Sequence, residues 1–492
     1  MESPNQLPTP AVNQRLYTLL WRVFIAAFIL RLVPVLLTRS LGIGLDDMFQ
    51  YDMLARSLAS GNGFRWYASA DLEMLKPYVD FDLSSVDYDP GRGVETSFRA
   101  PLYPTFLSLI YLLVSSDTNR FFAARLAQAI LGATLAPLTY LVSKKLIPGN
   151  ERAAKFSAWV IAAYPILLVY PLGLGTENLF FLLLLASILI LLQTIECPSV
   201  SHFLLSGFFL GLTALARSVI LPFAGCAILW VWITLKQKRG AVRAMLALLV
   251  TISPWIIRNS LLHQKLTGIE TSMGYNLYLG YHPQGNGSFI FGPSLDLLTI
   301  LDDAERDRAG TQKAMEFIHA QPDRFLPLAV NRLGFFFGLE KRILMYFYGN
   351  NLIGYIPFPA LLSLFIVMLL PFVIISVSAA LGISLLRRNP ATILLGLLFV
   401  AYILPHVLIL SEDRFHLALV PFITILAALF WTNGSNSVVS RWKESRAGKI
   451  VIILAIFAIL LLMANWSLEL SRDADKILQL FGPNGNLSNF PY

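Results

Sequence analysis

Residues 179–192 read LFFLLLLASILILL and residues 361–375 read LLSLFIVMLLPFVII, apolar on nearly every face. A membrane-barrel strand would alternate apolar and polar residues over about ten positions, and a soluble amphipathic helix would keep a polar side. Such runs read as helices whose solvent is lipid, where the backbone must satisfy its own hydrogen bonds. Similar runs recur at 16–38, 121–143, 153–171, 178–195, 202–216, 218–235, 241–257, 360–386, 391–410, 415–432 and 450–467. The expectation is an all-α polytopic membrane protein with about 11 transmembrane helices, range about 10–13. Composition agrees: the 492 residues are 56% hydrophobic and 14% charged, and the mean hydropathy is +0.63. That excludes an ordinary soluble domain or a doubly wound sheet. The net charge of +8 is scattered between apolar segments, with no basic stripe for nucleic acid. Two cysteines, Cys197 and Cys226, offer neither a disulfide framework nor a Cys-rich metal site.

The scattered charge sets topology. The run at 16–38 lacks a small-residue cleavage pattern and is read as a retained first span after a cytoplasmic segment 1–15. Lys144, Lys145, Arg152 and Lys155 then fall in the cytoplasm, as do Lys236, Lys238, Arg239 and Arg243, Arg387 and Arg388, and Arg441, Lys443, Arg446 and Lys449. This requires the short, proline-bearing stretch 101–114 to lie in the interface, and 202–235 to be a helical hairpin broken near Arg217. A module over 16–435 follows, with outer loops 39–120 and 258–359. After it come a cytoplasmic loop 436–449, a last span 450–467 and an outer tail 468–492. Within the first outer loop, 48–59 is amphipathic at helical spacing and ends at Gly61-Asn62-Gly63. The runs Phe335-Phe336-Phe337 and Tyr346-Phe347-Tyr348 read as interfacial aromatic belts or, alternatively, as a wall for a lipid chain.

Asp46-Asp47 and Glu177 place carboxylates at the outer boundary, where an ionised group is costly unless paired or used. Asp46 and Asp47 also suit a helix N-cap, and Glu177 the first turn of its span. Arg99, Arg125, Arg217, Arg258 and Arg414 face the same side. Arginine holds phosphate in bidentate fashion and a carboxylate can deprotonate a hydroxyl, so the set suits a phosphate-bearing substrate and a hydroxyl.

The order of these features resembles a family. Asp46-Asp47 is followed by Tyr51, Ala55, Leu58, Gly61, Gly63 and Phe64, then by Arg99-Ala100-Pro101-Leu102-Tyr103 and Ala124-Arg125-Leu126. Next come Tyr164-Pro165, Thr176-Glu177, Leu215-Ala216-Arg217-Ser218 and Pro254-Trp255-Ile256-Ile257-Arg258-Asn259. Gly274, Asn276, Leu277, Tyr278, Gly280 and Asp413-Arg414-Phe415 complete the series. It resembles the GT-C class of polytopic glycosyltransferases, closest to the protein mannosyltransferase and lipid A aminoarabinose transferase superfamily, glycosyltransferase family 39-like. Two positions depart from that pattern, Asp47 in place of Glu and Arg-Ala-Pro in place of a double proline.

The resemblance implies a GT-C fold and an inverting transfer from a polyprenyl-phosphate-linked sugar to a hydroxyl of a glycolipid, polysaccharide or protein. It implies an integral protein of a prokaryotic plasma membrane, N-terminus cytoplasmic, working on the outer face. Asp46, Asp47 and Glu177 become the catalytic residues, with Asp46 the chosen base. Arg99, Arg258, Arg414 and Arg125 become donor-phosphate ligands, and Tyr51, Tyr103, Asn276 and Tyr278 substrate contacts. Some relatives use a divalent cation, for which Glu177 and His263 are the candidate ligands. The alternative, a polytopic transporter or lipid/glycolipid flippase, would place its charges near the midplane in broken, repeated helices.

Overall fold

In a computed structural model, the structure describes residues 10–114 and 119–488, without the side chains of 10–13 and 343. The expected segments 1–15 and 468–492 therefore extend partly outside the described residues. The fold is helical, and among the described residues its strands form one short ribbon, Arg65–Trp66 against Val94–Glu95. Among the described residues, eight helices are long and apolar enough to cross a membrane: Gln14–Leu37, Asn119–Leu146, Glu177–Glu196, Lys238–Leu262, Phe358–Ile383, Pro390–Leu408, Phe415–Glu444 and Arg446–Arg472. A ninth arises if Glu151–Ala163 and Pro165–Leu172, bent by 50°, form one span. Val200–Ala216 and Ser218–Ile233 are shorter apolar helices on two of the expected spans. The stretch expected in the interface is the apolar helix Leu102–Leu113.

Contacts fix the relative directions. A Cβ on Gly207 would lie 1.9 Å from the Ala244 carbonyl oxygen, and Gly211 meets Thr251. Val200–Ala216 and Lys238–Leu262 therefore run the same way, and the segment between them returns after a break at Arg217. The pairs Lys145–Glu196, Asn150–Thr432 and Trp230–Pro390 gather one set of helix ends beside the basic clusters. Asp47, Arg99, Glu177, Arg217 and Arg414 gather at the other.

Broken helices free carbonyl groups, and buried arginines take them up. Pro165 has no N–H for the carbonyl four residues back. Arg31, fully buried on the first helix, donates from Nη2 to Ile161 O at 3.1 Å and from Nη1 to Ala162 O at 3.0 Å. Arg332 does the same at the end of Pro390–Leu408, donating to Leu408 O at 3.0 Å and to Gly280 O at 2.6 Å.

The two long loops share a core of their own. Phe49, Phe64, Trp66, Tyr67 and Phe98 of the first pack with Leu301 of the second. Asp303, opening Asp303–Ala320, accepts from Thr96 Oγ1 at 2.6 Å and from Ser97 N at 2.7 Å. The expectation of aromatic belts is corrected here. Phe336 and Tyr348 are buried, and Phe336 packs on Tyr402, His406 and His416. Phe335, Phe337, Tyr346 and Phe347 are half-buried.

Gly382 sits where Phe358–Ile383 crosses Val420–Glu444, and a Cβ there would lie 1.9 Å from Leu426 O. A backbone carbonyl in a packed crossing cannot give way cheaply. Gly382→Ala should cost about 1–3 kcal/mol and lower the unfolding midpoint in detergent by about 2–10 °C. Gly225→Ala, where a Cβ meets nothing within 4 Å, should leave it unchanged. Equal midpoints for the two variants would remove the crossing as a constraint.

Candidate functional site

Both loops and the ends of several helices enclose a cavity of about 1380 Å³. Asp46 stands at its wall as the N-cap of Asp47–Ala59, with Oδ1 accepting from Met48 N at 2.8 Å. Asp47, in the first turn of that helix, pairs with Arg99 and with Arg414 Nη2 at 3.3 Å. Arg99 follows the two-stranded ribbon and also donates to Gln50 Oε1 at 2.8 Å. Glu177 opens Glu177–Glu196 and pairs with Arg217, which ends Val200–Ala216. Glu412, in the short connection before Phe415, lies with Oε2 2.8 Å from both Arg342 Nη1 and Arg414 Nε. The Arg414 Nε contact is an ion pair without hydrogen-bond alignment, so that donor is unused. Ser218 Oγ donates to Glu270 on the same wall.

The charges are interlocked. Burial opposes ionisation of Asp47, but Arg99 and Arg414 outweigh it and hold its carboxyl well below the usual carboxylate range. Glu412 is likewise lowered, Arg342 and Arg414 overcoming burial. Arg99 and Arg414 are raised in turn by their acids against the pull of burial. Tyr51 is pushed up to about 12 by burial and stays a neutral hydroxyl. A site of this kind can hold an anion at an arginine by displacing a carboxylate, and present carboxylates to a hydroxyl.

Of the residues expected at the site, Asp46, Asp47, Tyr51, Arg99, Glu177, Asn276 and Arg414 line the cavity. Five do not. Arg125 donates to Leu172 O at 2.8 Å, Leu41 O at 2.5 Å and Gly42 O at 2.6 Å. It is a buried clamp between the approach to Asp46 and the approach to Glu177, not a phosphate ligand. Arg258 donates to Thr96 O at 2.5 Å and lies over Trp255, holding the ribbon beside Arg99. Tyr103 is buried and bonds Gln128 Oε1 at 2.5 Å, and Tyr278 bonds Asp296 at 2.9 Å. His263 sits 2.6 Å from Ser97 Oγ, off the cavity. Glu177 and His263 are therefore not brought together, and among the described residues no group of three His, Cys, Asp or Glu side chains could hold a metal.

Sequence reading missed Arg342, Glu412, Glu270, Glu340 and His406 on the wall. Glu412 carried a signal, since it sits two residues before Arg414 in an outer turn. Arg342 carried none beyond its charge.

Asp47 and Glu412 have folded-state values below the unfolded values of about 3.9 and 4.3. Their stabilisation is therefore complete above that range and is lost as pH falls towards the folded values. The Asp47→Asn/Glu412→Gln double variant should melt below wild type at pH 7, and the gap should narrow below about pH 4. Thermal midpoints across pH 3–8 check this; a gap that widens on acidification refutes the pairing.

Residues 98–257 match the family described as dolichyl-phosphate-mannose-protein mannosyltransferase. No curated protein sequence matches the chain. Similar solved structures include the Archaeoglobus fulgidus oligosaccharyltransferase in complex with zinc and sulfate, at 16% identity and TM-score 0.47, covering 95% of this chain and 57% of that one. They also include the archaeal oligosaccharyltransferase AglB of that organism with an inhibitory peptide and a dolichol-phosphate, at 14% identity and TM-score 0.46, covering 96% and 60%. ArnT from Cupriavidus metallidurans bound to undecaprenyl phosphate is similar at 15% identity and TM-score 0.37, covering 82% and 77%. The chain thus spans less than two thirds of the length of the archaeal enzymes. Over residues 98–257 this integral membrane protein is similar to the dolichyl-phosphate-mannose-protein mannosyltransferases, the family group that its motifs resemble.

Proposed function

We propose that the protein is a membrane glycosyltransferase that moves a sugar from a polyprenyl-phosphate donor to a hydroxyl acceptor on the non-cytoplasmic side, with inversion at the anomeric carbon. The acceptor oxygen forms the new bond to that carbon. The bond from the carbon to the phosphate oxygen breaks, its electron pair leaves with polyprenyl phosphate, and the hydroxyl proton passes to a carboxylate. One observation carries the reading: Asp46, Asp47 and Glu177 share one cavity with Arg99, Arg217 and Arg414. The match over residues 98–257, whose family description names a lipid-phosphate mannose donor and a protein acceptor, supports it.

Asp46 is the base in this reading. Asp47, held strongly ionised between Arg99 and Arg414, is the weaker base and instead orients the two guanidinium groups. Those groups and Arg342 stabilise the charge gathering on the departing phosphate. Arg125 and Arg258 hold the walls. Glu177, fixed by Arg217, orients the acceptor.

Asp46→Asn should lower transfer from a polyprenyl-phosphate sugar by about 10²–10⁴-fold at unchanged expression and melting temperature. Arg414→Ala should also weaken use of the donor. Both are read by incorporation of radiolabelled sugar by the purified chain with membrane extract. Near-normal turnover in Asp46→Asn removes it as base, and lipid or solute transport with no incorporation from any donor favours a transporter.

A further inference from the structure

Among the described residues, four buried polar atoms on cavity-lining residues have no hydrogen-bond partner; Glu412 Oε2 and Arg414 Nε face each other as an ion pair, which leaves Glu340 Oε2 and His406 Nε2. Their residues are 1% and 5% exposed. An unmet buried polar group is destabilising, so its persistence requires a reason. Neither residue belongs to the interlocked charges of Asp47, Glu177 and Glu412.

The surroundings of Glu340 define what its free oxygen can do. Oε1 accepts from Tyr164 Oη at 2.8 Å and lies 3.1 Å from His416 Nε2. His416 Nδ1 lies 2.7 Å from Phe336 O, which can only accept, so Nδ1 carries a proton. A favourable contact between Nε2 and Oε1 then needs one further proton, residing on either atom. In both cases Oε2 is unprotonated and can only accept. It has no donor, on a residue that lines the cavity.

His406 completes the patch. Its ring stacks on Phe415 at 4.4 Å and meets Phe336 at 5.6 Å. Phe336, four residues before Glu340 in the chain, also meets His416. The Phe415 ring lies under Arg414 at 5.7 Å and Arg217 at 5.4 Å. A group reaching His406 thus lies one aromatic ring, Phe415, away from Arg414, which is assigned to the phosphate. Covalent attachment to that phosphate is what would carry a hydroxylated group there.

We infer that Glu340 and His406 form the subsite for the transferred sugar, Glu340 Oε2 accepting a hydrogen bond from a sugar hydroxyl that takes no part in the reaction. His416 and Tyr164 are positioning residues for Glu340. The assignment rests on the lipid-phosphate-sugar reading of the same cavity.

The test measures binding of two kinds of lipid to the purified full-length chain in detergent: bare polyprenyl phosphate, and the same lipid carrying mannose, glucose or galactose. In wild type at least one hexose should raise affinity by about tenfold or more over the bare lipid. Glu340→Met and His406→Phe should each remove that gain and leave affinity for the bare lipid within about twofold. His406→Phe keeps the ring stack and the Glu340–His416 pair, so it reports even if Glu340→Met fails to fold. A sugar-dependent gain that survives substitution, or an equal loss for both lipids, overturns the subsite while leaving the lipid-phosphate reading standing. Wild type that binds neither lipid overturns the reading and the subsite together.

Discussion

A peptide carbonyl freed inside a bilayer has no water to bond, and this structure depends on arginine side chains to satisfy such groups. Pro165 ends one helix in mid-span, and Arg31 reaches across from the first helix to the carbonyls the break exposes. Arg125 joins the carbonyls of Leu41, Gly42 and Leu172, and Arg332 those of Gly280 and Leu408. Each clamp lets the chain turn where a continuous helix would be the default. Two of those turns deliver Asp46 and Glu177 to the cavity.

The arginines divide by partner. Arg31, Arg125, Arg258 and Arg332 bond backbone carbonyls, whose geometry is fixed by helix ends, so they serve the fold. Arg99, Arg217, Arg342 and Arg414 face carboxylates on the cavity wall. A carboxylate is an exchangeable partner in a way that a carbonyl is not, because another anion can take its place on the guanidinium. The division turns on what lies opposite each side chain, and hydropathy and motif order do not contain that.

The same distinction explains what the sequence could disclose. Uniformly apolar runs such as 179–192 needed no tertiary information, and the helix after Asp46 followed from its cap and its glycine stop. The carboxylates were legible because an acid next to an apolar run stands out. Arg125 and Arg258 looked like phosphate ligands because they sat in the right motif order, but they point at carbonyls brought near by residues 40–85 positions away or more than 160. Glu340 and His406 were invisible for a related reason. One sits in an outer loop and the other inside a span, and they are linked only through Phe336, which meets His406 and the His416 that lies against Glu340.

Arg31 also carries a consequence for biogenesis. Its partner carbonyl Ala162 O lies 131 residues downstream, so at 5–20 residues per second the ribosome needs about 7–26 s to make it. During that interval the first helix carries a guanidinium whose insertion costs about 2.5–3.5 kcal/mol, with Ala27 O of its own helix as a partner but the carbonyls of Ile161 and Ala162 not yet synthesised. The first helix is thus held to a provisional place in the membrane until the third apolar run, 153–171, emerges, and a folding checkpoint is written into the order of translation.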